Sequence, residues 1–86
     1  MNRQSTFEVL AIQRCMANAN PLAWRDGLVS DVSSDSVVLV FLDGSSSVLR
    51  VVGHQVDLAV GEPVAYHSVA EILAVGDRWV TARARD

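Results

Sequence analysis

Two histidines, His54 and His67, stand thirteen positions apart with Asp57 and Glu62 between them, a set of side chains that could in principle ligate a metal. Zinc and iron sites use closer, paired spacings of histidine and cysteine, and no such pattern is present. The two histidines therefore read as surface or hydrogen-bonded side chains. Cys15, the single thiol, falls on the apolar stripe of a helix and reads as a buried structural residue, because a nucleophile needs accessible, electropositive surroundings. Ser45-Ser46-Ser47 has no paired base and reads as turn chemistry. The five glycines are scattered along the chain, so no phosphate-cradling loop is present. These residue types point away from an enzyme, and no cofactor or metal is expected.

Trp24-Arg25-Asp26 is the more informative cluster. A tryptophan beside an arginine suits a partner hot spot or base stacking; the competing placement has Trp24 capping one end of a β core. Arg78, Arg83 and Arg85 give the C-terminal segment local positive charge. The chain as a whole is mildly acidic, with a net charge of −3. A nucleic-acid binder is expected to show a basic excess or stripe, so nucleic acid is possible but not favoured as a partner. All seven basic residues are arginine, which reads as the coding bias of a GC-rich bacterial genome.

Eighty-six residues make one domain, residues 1–86, and a core of this size is marginal on its own. Disulfides, metals or oligomerisation are the usual reinforcements, and one cysteine excludes an internal disulfide. The lone thiol and the lack of a signal-like segment fit the cytoplasm, and no apolar run is long enough to span a membrane. Half of the residues are hydrophobic, valine is the commonest type, and aromatics are few. That balance favours strands.

Ser5-Thr6-Phe7-Glu8 has the form of a capping box, and Phe7, Leu10, Ala11 and Cys15, broadened by Ile12 and Met16, recur at helical spacing. Asn20-Pro21 ends the run, which predicts a helix over residues 5–19. Strands are predicted over 24–32, 36–42, 47–52, 64–67, 69–75 and 78–84, with turns at 33–35, 43–46, 60–63 and 76–77. One helix followed by five or six short strands predicts a mainly β fold, a small antiparallel barrel of the SH3-like or Sm-like kind over about 23–85. A helix packed on an open, bent antiparallel sheet is the alternative.

A two-residue turn at Gly76-Asp77 fixes the pairing of the last hairpin, with Val75 opposite Arg78 and Ile72 opposite Thr81. Leu73, Val75, Val80, Ala82 and Glu71 then share one face, while Ile72, Ala74, Trp79, Thr81, Ala70 and Arg83 share the other. Both faces carry apolar residues. The run 37–42 does the same, with Val37, Leu39 and Phe41 against Val38, Val40 and Leu42. A half-solvated antiparallel sheet alternates between apolar and polar. A fifteen-residue helix, about 22 Å long, is too short to cover the excess. The expected partner surface is the outer face around Trp79 and Ile72, with Trp24, Arg25 and Arg83 as further contact residues.

Two short stretches resemble known families. Val38-Leu-Val-Phe-Leu-Asp-Gly44, following a helix and a strand, resembles the first motif of Sm-like RNA-binding proteins, which are ring-forming barrels with an N-terminal helix; no second Sm motif follows. Val29-Ser-Asp31-Val32-Ser33 is similar to the aspartate-serine motif of PilZ domains, which bind a cyclic dinucleotide. Ser36 stands where that family has glycine, and only Arg25 is near its paired-arginine position. The sequence expectation is a non-catalytic protein-interaction or assembly module that pairs with itself or with another protein. An RNA- or DNA-binding barrel and a small-ligand regulatory domain are the alternatives.

Overall fold

A computed structural model describes residues 7–52 and 57–85. The elements are β1 (Phe7–Glu8), α1 (Ala11–Ala19), a 3-10 turn (Pro21–Ala23), β2 (Trp24–Val32), β3 (Val37–Phe41), β4 (Ser46–Val51), β5 (Pro63–His67), β6 (Ile72–Val75) and β7 (Arg78–Ala84). Strands β2, β3 and β4 form one antiparallel meander, and β5, β6 and β7 form another. Pairing of β2 with β5 and of β4 with β7 closes six strands into an antiparallel barrel. Closure is the fold's answer to exposed strand edges.

The last hairpin has the expected register, from Val75 opposite Arg78 to Ile72 opposite Thr81. Gly76 has φ 60°, a conformation that costs glycine little. The inner face of the barrel collects Val29, Leu39, Phe41, Leu49, Tyr66, Leu73 and Val80, all buried. The Tyr66 hydroxyl donates to the Ala82 carbonyl at 3.0 Å, so the one phenol in this core has its polar group satisfied.

Several expectations need correcting. The helix does not start at residue 5, because Phe7 and Glu8 are strand, paired parallel with Trp79 and Val80. Strand β4 covers β7 only at Ala82, Arg83 and Ala84, so the neighbouring stretch of β7 offers open backbone groups that an extended segment satisfies. Ser5 and Thr6 of the expected capping box lie outside the described residues. The helix is instead opened at Leu10, whose N–H donates to Gln13 Oε1 at 2.9 Å. Its end is as expected: Asn20 Nδ2 donates to the Met16 carbonyl at 2.8 Å, and Pro21 follows.

The segment over residues 69–75 is extended only from Ile72. Residues 68–71 form a turn, and Glu71 sits in the left-handed region at φ 58°. Strand β2 carries a bulge at Ser30, since Val29 opposes Leu39 while Asp31 opposes Val38. The extra residue interrupts the two-residue alternation of a strand and returns Val32 to the side of Val37.

Candidate functional site

Helix α1 lies over the outer face near β6 and β7, and a second small core forms beneath it from Ala17, Ala70 and Ile72, with Val9, Trp24 and Trp79 packed alongside. The side of the helix that faces down is not the expected apolar stripe. Leu10, Ile12, Cys15 and Met16 are exposed, while Ala17 is buried and Gln13 half-buried. Cys15 is therefore a free surface thiol and not a core residue. The reason is chemical. Gln13 Nε2 donates to the Ala70 carbonyl at 3.0 Å, and its Oε1 accepts from Leu10 N–H and, at 3.2 Å, from the Thr81 hydroxyl. One amide ties α1 to the β5–β6 turn and to β7, and the small Ala17 allows the close approach.

The expected partner surface at Trp79 and Ile72 is thus covered by the protein's own helix. Ile72 is fully buried and Trp79 half-buried. Trp24 joins them, with its ring 5.2 Å from that of Trp79 and edge-on to His67 at 5.0 Å. His67 is fully buried. Its Nδ1 accepts from the Ala70 N–H at 3.0 Å, which places the ring proton on Nε2, 2.8 Å from the Asn20 carbonyl. The histidine is a bracket between the end of α1 and the β5–β6 turn. His54 lies outside the described residues, and no group of three potential metal ligands occurs among the described ones.

Arg25 parts company with Trp24, because neighbouring strand residues point to opposite faces. Its guanidinium lies 3.9 Å over the Phe41 ring, at the mouth of the barrel. It pairs with Asp43 at 3.1 Å and donates to the Ser45 hydroxyl at 2.8 Å. The Ser45 hydroxyl and backbone N–H both bond Asp43 Oδ1 and hold its carboxyl below the usual range, with Arg25 adding to the effect. A lowered carboxylate pKa stabilises the fold above the unfolded value of about 3.9 and is lost as pH falls through the lower native value. Asp43→Asn should therefore flatten the acid-side fall in melting temperature below that pH. A fall unchanged from wild type, measured by circular dichroism, would remove Asp43 from the account.

Between α1, the β5–β6 turn and β7 runs a trough of about 630 Å³, walled by Leu10, Met16, Val52 and Val69, with Thr81 and Arg83 among its polar lining. Arg83 lies 3.6 Å from Glu71. In the β4–β7 register, Arg83 stands directly opposite Arg50. Farther round the barrel, on the outer face of β2 and β3, Leu28 and Val40 are register partners and are 48 % and 38 % exposed. Leu42 beyond them is 82 % exposed, and Pro63 pairs with Leu28 from the other side.

The structure brings together Trp24, Ile72 and Trp79 as one small core and sends Arg25 and Arg83 to separate places. Sequence reasoning misses Gln13, Arg50, Glu71 as a strained residue, and the Leu28–Val40 pair. The run of apolar residues at 37–42 is the only signal that points to any of them. Comparison with protein-family models, with curated proteins and with solved structures finds no match. No helix among the described residues is long and apolar enough to cross a membrane.

Proposed function

We propose that this domain is a non-catalytic assembly module that self-associates through the outer face of β2 and β3, in a reducing, cytoplasmic setting. One observation carries the reading: Leu28 and Val40, register partners in the middle of the sheet, both present apolar side chains to solvent. Pro63 and Leu42 extend the strip, and Asp26, Ser30 and Ser46 give it a polar border. Helix α1 cannot cover it. Nine residues rise only about 13 Å, and they are spent over β6 and β7. An apolar strip bordered by polar residues is the form of an interaction site. A second copy stacked face to face across a two-fold axis would match it with the same strip. The exposed free thiol of Cys15 is consistent with a reducing compartment.

The test is mass in solution by light scattering. The wild-type chain should run as a multiple of its 9.3 kDa monomer, with a melting temperature that rises with protein concentration. Leu28→Asp with Val40→Asp should give the monomer mass with an unchanged far-ultraviolet spectrum, because both side chains face outward. A wild-type chain that is monomeric at every concentration would end the proposal.

A further inference from the structure

The trough beside α1 combines features that do not serve the barrel. Arg50 and Arg83 face each other across β4 and β7, and like charges directly opposite each other destabilise a sheet. Glu71 answers Arg83 at 3.6 Å, but both side chains are about half exposed, and such a surface pair contributes little. Arg50 is exposed and has no ion-pair partner among the described residues. Glu71 itself is held at φ 58°, where a side chain other than glycine or asparagine is strained. Strain of this kind concentrates at ligand sites. Arg83 and Glu71 line this end of the trough and Arg50 stands beside it as Arg83's register partner, so two guanidiniums meet one carboxylate at its edge, on a chain whose net charge is −3.

The walls give the rest of the ligand's chemistry. Leu10, Met16, Val52 and Val69 are apolar and all still exposed. Val52 lies two residues beyond Arg50 and prolongs β4 by donating its N–H to the Thr81 carbonyl. The apolar walls and the charged end are therefore continuous. A small molecule is normally held by burying most of its surface, which an open trough with exposed walls does not do. A length of peptide laid along the surface needs only side-chain pockets and a charge partner. A nucleic-acid strand would meet mostly apolar walls and an acidic molecule.

We propose that this trough binds a short peptide segment of a partner protein in which an apolar side chain stands close to an aspartate or glutamate. The apolar side chain lies against Met16 and Val69, and the carboxylate is taken by Arg50 and Arg83. Arginine suits the role because its planar fork matches a carboxylate with two parallel hydrogen bonds. The proposal does not depend on self-association, which uses a separate region of the outer face.

A random peptide library displayed on phage and panned against the full chain tests it. Enriched peptides should combine apolar residues with an acidic one. The best of them, made synthetically with a fluorescent label, should shift the amide resonances of Val69, Glu71, Thr81 and Arg83. Arg50→Glu should weaken it by about tenfold to a hundredfold, the range expected for lost charged hydrogen bonds. The same variant should melt no lower than wild type, since a glutamate opposite Arg83 replaces a like-charge pair with an opposite-charge one. Arg50→Gln should weaken binding less, and Leu28→Asp should leave it intact. No enrichment, enriched peptides without an acidic residue, or equal affinity for Arg50→Glu would each overturn the proposal. So would binding of a labelled single-stranded RNA that depends on Arg50 as strongly.

Discussion

His67→Ala should lower the stability of the domain by about 2–4 kcal/mol, the sum of a buried cavity and an orphaned backbone donor. The histidine is fully buried, and the Ala70 N–H that donates to its Nδ1 has nowhere else to turn. The Asn20 carbonyl is better provided for, because it also accepts from the Ala23 N–H at 3.1 Å. The graded series therefore isolates the Ala70 bond. His67→Leu refills the space but leaves the donor unpaired, whereas His67→Asn offers an oxygen near the position of Nδ1. Alanine should be the worst of the three and asparagine the mildest. At about 4–8 °C per kcal/mol for a domain of this size, alanine should shift the melting temperature by on the order of 10–25 °C. Tryptophan emission should move to the red, since Trp24 and Trp79 lose the ring and the helix that cover them. A melting temperature within a few degrees of wild type for alanine would show that the bracket is dispensable.

Gly27→Val should be as severe for a different reason. Gly27 is buried on the inner side of β2, and a Cβ added there would come within 2.7 Å of the Val40 carbonyl oxygen and 3.2 Å of the Phe41 ring. The first of these is backbone and cannot swing aside, so β2 and β3 would have to separate in the middle of the barrel wall. Overpacking of this kind costs about 1–3 kcal/mol and more where backbone must move. Gly27→Ala should already show most of the loss, because the clash begins at Cβ. Chemical denaturation of the two variants checks this. An alanine variant as stable as wild type would mean that the strands part at little cost.

What the sequence revealed follows the range over which each interaction acts. The Gly76-Asp77 turn sets the register of β6 and β7 locally, so the inward positions of Leu73, Val75, Val80 and Ala82 were legible residue by residue. The ends of β2 and β7 were legible for the same reason, since turn residues and Asn20-Pro21 mark them. The excess of apolar residues on both faces was also legible, but not which element would cover which part. Covering Ile72 and Trp79 depends on a glutamine at position 13 whose amide meets two distant segments, the β5–β6 turn and β7, and an apolar-periodicity reading assigns such a residue to solvent. Arg50 opposite Arg83 arises only when β4 meets β7, a pairing that no local signal encodes. The same holds for Gly27, which is required to be small only once β3 lies against it.

Strand β7 is bonded to β6 along one edge and to β1 and β4 along the other, and this sharing orders the events of folding. Each meander joins neighbours in the chain and can form early, at the speed of hairpins. The seams that complete the ring, β4 to β7 and β2 to β5, join distant segments and bear the entropy of closing long loops. The parallel contact of Phe7 with Trp79 spans nearly the whole described chain. Folding should accordingly be limited by the meeting of two preformed halves, in the slow range of domains rich in non-local pairings.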